Sequence, residues 1–147
     1  TLIVDVPPEE SHDLVVVLRD AGIDLVYLLA PTSTEDRIRK IGSVASGFVY
    51  YVSVKGVTGA GHLDVASVAA KLAEIRGIID LPLGVGFGIK DAKTAAAVSA
   101  TADAVVVGSA IVGRIESLRD EPERIEPTVE SFLGELRAAI DAANATR

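Results

Sequence analysis

Five short runs of branched aliphatic residues constrain this chain more than any other feature. They are Leu2–Val6, Asp24–Ala30, Gly47–Ser53, Leu81–Phe87 and Ala104–Gly108. Each is continuously apolar rather than alternating, the signature of strands covered on both faces of a parallel sheet. Between them lie segments with helical spacing. Ser11 is expected to cap a helix carrying Leu14, Val15, Leu18 and Ala21, closed by Gly22. Thr34, Asp64 and Asp91 precede three more, and Gly77 ends the second of these. Strand starts recur about 22 residues apart, except for one longer step from Gly47 to Leu81. Strand–helix repetition of this kind implies βαβ crossovers. A last amphipathic helix is expected from Thr128 to Ala143, with Val129, Phe132, Leu133, Leu136 and Ile140 on its apolar side. The expected organisation is a single domain over residues 1–147.

Composition narrows the functional classes. The formal net charge is −7, which argues against a nucleic-acid or anionic-membrane surface. There is no cysteine, hence no disulfide, thiol chemistry or thiolate metal site, and two histidines make a poor zinc set. No metal site is expected. No apolar run approaches the ~20 residues of a membrane span, and no signal peptide is visible, so a reducing cytoplasm is the expectation. Methionine is absent altogether, and Thr1–Asp5 reads as a strand already under way. The expectation is that the sequence is the C-terminal part of a longer protein.

Two strand ends carry the chemistry. Gly84-Val-Gly86-Phe-Gly88-Ile-Lys90 follows the fourth run, where glycines let backbone amides approach an anion. It is neither a dinucleotide fingerprint nor a P-loop. One unit later, Gly108 and Ser109 open a helical turn, offering exposed N–H groups, a hydroxyl and the positive end of a helix dipole. In (β/α)₈ barrels a phosphate is commonly held by the loops after strands 7 and 8. On that reading the five runs are strands 4 to 8. By periodicity alone an open doubly wound sheet remains the alternative. Val54–Gly61, with three glycines and Thr58, reads either as a closing loop or as a connector. Tyr50 and Tyr51 must point to opposite faces of their strand. Asp5 at a strand end, and His12 and His62 at polar positions, carry no partner pattern that marks a catalytic group.

Taken together, DVPPEES (5–11), APTST (30–34), GFVYYVSVKGVTGAG (47–61), GVGFGIK (84–90) and ADAVVVGSAIV (102–112) form an ordered set. That set resembles the α subunit of tryptophan synthase, a (β/α)₈ barrel. The resemblance covers essentially the whole chain, about five βα units. It implies a carbon–carbon lyase of tryptophan biosynthesis that splits indole-3-glycerol phosphate into indole and glyceraldehyde 3-phosphate. It also implies an α–β–β–α complex in which indole passes to a β subunit, whose pyridoxal phosphate is the only cofactor. By the same resemblance Gly86, Gly88, Gly108 and Ser109 cradle the substrate phosphate. Leu2, Leu29, Tyr50 and Phe87 line the indole and glycerol pocket, and Thr58 and Gly59 belong to a closing loop. The family's two catalytic carboxylates match no residue here, so no catalytic residue is assigned, and neither Asp5 nor Glu9 fills the role. The alternatives are another phosphate-binding barrel, of the indole-glycerol-phosphate synthase or phosphoribosyl isomerase type, or a non-catalytic partial barrel acting as a binding module.

Overall fold

The computed structural model describes residues 1–53 and 64–145. Its elements run α1 (His12–Asp20), β1 (Tyr27–Leu29), α2 (Glu35–Val44), β2 (Val49–Val52), α3 (Val65–Arg76), β3 (Leu83–Gly86), α4 (Ala92–Ser99), β4 (Ala104–Val106) and α5 (Ser109–Ser117). A short 3₁₀ turn (Pro122–Arg124) leads into α6 (Ile125–Asn144). All strand pairs are parallel, and the sheet order is β1-β2-β3-β4. This order decides between the two architectures left open by periodicity. A doubly wound sheet reverses its strand order part-way, whereas barrel strands follow one another in sequence. No reversal occurs here, so the sheet is a run of neighbouring barrel staves.

Side-chain capping marks the starts of α2, α3 and α4. The Thr34 and Asp64 side chains accept from the amides of Arg37 and Ser67. Asp91 and Thr94 form a reciprocal capping box at the start of α4. Ser11 corrects the sequence reading. It precedes α1, but its side chain makes no cap bond. The Ser11 hydroxyl instead donates to the Pro8 carbonyl at 3.0 Å and accepts from the Tyr27 phenol. Ser11 is fully buried, so tertiary demand took the hydroxyl that a solvent-facing cap would have used.

The first apolar run also differs from expectation. Only Leu2 pairs, through a single parallel bridge to Val26, and the chain turns at Val4 and Asp5. An apolar run becomes a strand only where a neighbour offers a ladder, and here only Val26, just before β1, pairs with it. The final helix begins three residues earlier than expected, at Ile125, with Pro127 in its first turn, where the missing N–H costs nothing.

Strand register sorts the residues by face. Tyr27, Leu29, Val49, Tyr51, Leu83, Val85 and Val105 align across the sheet on one face. That face packs on Ile38 and Ile41 of α2, Val68, Leu72 and Ile75 of α3, and Ala95 and Val98 of α4. The opposite face carries Leu28, Tyr50, Val52, Gly84, Gly86, Ala104 and Val106. At the N-terminal strand ends, Asp103 accepts from the Leu83 amide at 2.8 Å and from Arg76 at 2.7 Å, tying β3, β4 and α3 together. Beside β4, an apolar groove opens between the strand, α5 and α6, lined in part by Val105, Ile111, Ile115, Val129 and Leu133. Leu133, expected on the covered side of its helix, faces this groove and is exposed. Among the described residues no helix is long and apolar enough to cross a membrane, and no group of three or more His, Cys, Asp or Glu is placed to hold a metal.

Candidate functional site

The candidate site lies at the C-terminal ends of the strands, on the face that carries Tyr50. Two aromatic rings on this face, Phe48 just before β2 and Tyr50 within it, lean across β3 onto glycines. A Cβ at Gly86 would fall 2.0 Å from the Tyr50 hydroxyl oxygen and 2.6 Å from its ring. A Cβ at Gly84 would fall 3.1 Å from the Phe48 ring. The first is impossible without moving the tyrosine. Glycine inside a strand often marks such a close approach. Burial pushes the Tyr50 phenol above its ordinary value, so it is a neutral donor at physiological pH.

After Gly86 the chain turns sharply. Phe87 has φ +82° and Gly88 φ +78°, two successive residues in the left-handed region. Glycine enters it freely, whereas a phenylalanine there is strained. The Phe87 side chain is 58 % exposed and is not part of the core. Such strain persists only where surrounding contacts hold it, and it clusters at ligand sites. The holding contact is Ser53, just past β2. Its amide donates to the Gly86 carbonyl at 3.1 Å. Its hydroxyl lies 2.8 Å from the Gly86 carbonyl and 2.9 Å from that of Phe87.

One strand further, Gly108 is the N-cap of α5 and Ser109 its first residue. The amides of Ile111 and Val112 close the first turn onto the Gly108 carbonyl. The N–H groups ahead of them have no partner within the helix. Among the described residues no side chain caps this end, and a Cβ at Gly108 would meet nothing within 4 Å. Both residues are exposed. The turn after β3 and the start of α5 therefore lie at neighbouring strand ends.

The other expected site residues separate. Leu29 is only 1 % exposed and lies on the helix-facing side with Tyr51. It cannot wall a pocket on the Tyr50 face. Leu28, paired with Tyr50 in register and half-buried, holds the position assigned to it. Leu2 is 39 % exposed beside Val26 at the far edge. Gly86 is buried inside β3, and its missing side chain is explained by Tyr50 rather than by an anion. Glu9 binds Arg37 at 2.9 Å and Lys40 at 3.1 Å on the surface, a tie between loop and helix α2. Asp5 and His12 are exposed. Thr58, Gly59 and His62 lie outside the described residues. Sequence reasoning missed Ser53, Leu28 and Phe48. Phe48 and Ser53 left a trace only as letters of the GFVYYVSVKGVTGAG segment, and Leu28 only as part of an apolar run.

The family model described as tryptophan synthase alpha chain matches residues 1–141. This chain belongs to the tryptophan synthase alpha chain family. The tryptophan synthase alpha chain of Thioalkalivibrio sulfidiphilus is 63 % identical over 140 residues, covering 95 % of this chain and 53 % of the relative. That of Burkholderia pseudomallei is 58 % identical over 142 residues, covering 97 % and 52 %. Among solved structures, tryptophan synthase subunit alpha from Legionella pneumophila superposes with a TM-score of 0.83 at 32 % identity, covering 97 % of this chain and 52 % of that one. The chain spans about half the length of the curated relatives it matches. The sequential parallel sheet is accordingly part of the (β/α)₈ barrel of tryptophan synthase alpha chains.

Proposed function

We propose that this chain forms the phosphate-binding side of an enzyme of tryptophan biosynthesis that cleaves indole-3-glycerol phosphate into indole and glyceraldehyde 3-phosphate. The observation that carries the reading is the pairing of two adjacent strand ends, the Phe87–Gly88 turn after β3 and the Gly108–Ser109 helix start after β4. Barrel enzymes hold phosphates at this place. The amide of Gly88, the first amides of α5 and the Ser109 hydroxyl are the donors. The dipole of α5 adds positive potential where a dianion would sit. Gly86 contributes indirectly, by leaving room for Tyr50.

Tyr50, Leu28 and the exposed ring of Phe87 then form an apolar wall with one phenol, suited to a flat heteroaromatic group next to a polyol. The reaction is a retro-aldol cleavage. One acid protonates C3 of the indole, a base removes a glycerol hydroxyl proton, and the carbon–carbon bond between them breaks. This chain's part is to fix the phosphate and the ring so that the breaking bond is aligned with that acid and base. The two carboxylates that serve the family in these roles match no residue of this sequence. On this reading the cleavage needs no cofactor, the enzyme works in the cytoplasm, and the indole passes to a β subunit that carries pyridoxal phosphate.

The test is release of indole from indole-3-glycerol phosphate by the full-length protein, with and without a tryptophan synthase β subunit. Indole and glyceraldehyde 3-phosphate in equal amounts are expected. Tight binding of glycerol 3-phosphate without any cleavage would point instead to a different phosphate-binding barrel or a binding module.

A further inference from the structure

Ser53 is not among the residues that touch a substrate in the reading above, yet its hydroxyl is the contact that braces the strained turn after β3. The peptide joining Phe87 to Gly88 is a rigid trans plane, so its carbonyl and its N–H point in opposite directions. Whatever fixes the Phe87 carbonyl therefore fixes the Gly88 N–H. The Ser53 hydroxyl is 2.9 Å from that carbonyl. It shares its single proton between the Phe87 oxygen and the Gly86 oxygen, 2.8 Å away. The Gly86 oxygen already receives the Ser53 amide. The Phe87 oxygen is thus the acceptor whose direction depends on the hydroxyl. Phe87 has every reason to leave its left-handed φ of +82°, since most residues prefer negative values. Its side chain, 58 % exposed, offers little packing to hold it there.

We propose that Ser53 is a positioning residue, and that its hydroxyl, by holding the Phe87 carbonyl toward β2, aims the Gly88 N–H away from the sheet and toward the bound phosphate. The proposal rests on the phosphate reading for its consequence, but not for its geometry. Removing the hydroxyl frees the Phe87–Gly88 peptide to rotate. The amide donor is then present but misdirected. Ser53 is partly exposed, so the loss falls on the turn rather than on the core.

The experiment compares Ser53→Ala and Ser53→Thr with wild type in the full-length protein. Affinity for glycerol 3-phosphate is measured by calorimetry, and the Gly88 amide is followed in a ¹H–¹⁵N spectrum without ligand. Ser53→Ala is expected to weaken glycerol 3-phosphate about tenfold and to displace or broaden the Gly88 resonance. Ser53→Thr, which keeps the hydroxyl, restores both to near wild type. Should Ser53→Ala unfold too readily for titration, Ser53→Cys replaces it as a weak donor of similar volume. If wild type fails to bind glycerol 3-phosphate while Ser53→Ala still displaces the Gly88 signal, the phosphate reading fails and the brace stands. An unmoved Gly88 resonance with unchanged affinity overturns the proposal. So does Ser53→Thr behaving like Ser53→Ala.

Discussion

The phenol of Tyr50 on β2 occupies the space that any side chain at Gly86 on β3 would need. The two positions are not opposite one another in register; Tyr50 pairs with Gly84 and leans diagonally by two residues. Gly86→Ala should therefore destabilise the protein by about 1–3 kcal/mol, the usual range for forcing extra volume into packed structure. Tyr50→Leu alone should cost less, and in the Gly86→Ala background it should recover much of the loss. Chemical denaturation of the two single variants and the double variant measures the coupling directly. Additive costs would show that ring and glycine do not share the space.

Leu28 and Leu29 should separate binding from stability. Leu29 is buried with the helix-side core, so Leu29→Ala is expected to cost about 2–5 kcal/mol in unfolding free energy. Leu28→Ala removes a half-buried side chain from the Tyr50 face. It should cost clearly less stability while weakening binding of an indole-bearing phosphate. The discriminating measurement is a pair of denaturation curves set beside a pair of ligand titrations.

At Phe87, strain and function pull apart. Phe87→Gly relieves a left-handed residue, whose cost is about 1–2 kcal/mol, and gives up little burial because the ring is exposed. The melting temperature should hold or rise, and affinity for the indole end of the substrate should fall. A lower melting temperature with intact affinity would mean that the ring serves packing alone.

Acid should act partly through Asp91. Its side-chain hydrogen bond from Thr94, followed by the Thr94 amide, holds the Asp91 carboxyl below the ordinary carboxylate range. A group whose folded value is lowered contributes stability that is complete above the unfolded value and lost as pH falls through the folded one. Asp91→Asn should consequently lower the melting temperature at neutral pH, and the gap from wild type should close below about pH 4. Thermal melts of both proteins across that range give the answer. A gap that stays constant in acid would remove the charge from the cap.

Local chemistry was legible in the sequence where one short segment settles the matter. Thr34, Asp64 and Asp91 cap helices because the hydroxyl or carboxylate and the amide it binds lie three residues apart. The parallel βα alternation was legible for the same reason in the four later apolar runs, whereas Leu2–Val6 makes a single bridge and no strand. What depends on distant partners was not. Ser11 looks like a cap until Tyr27, sixteen residues on, claims its hydroxyl. The continuous run around Leu28 and Leu29 hides which of them faces the core, because both faces of a buried strand are apolar and the face is set only by pairing with β2. The glycines of β3 suggested an anion cradle, whereas Phe48 and Tyr50, more than thirty residues earlier in the chain, account for two of them. Nothing in the letter Phe marks position 87 as left-handed.

Phosphate binding at the strand ends after β3 and β4 is tested most directly by Gly108→Asp. Among the described residues nothing lies within 4 Å of where a Cβ would stand at Gly108, and its φ of −117° suits any residue, so the substituted protein should fold and melt close to wild type. The new carboxylate would sit beside the first amides of α5, repelling a dianion and covering the donors it needs. Calorimetric titration of the full-length protein with glycerol 3-phosphate should show binding in wild type and none detectable in Gly108→Asp. Unchanged affinity in a folded Gly108→Asp protein would contradict the account and place the phosphate elsewhere.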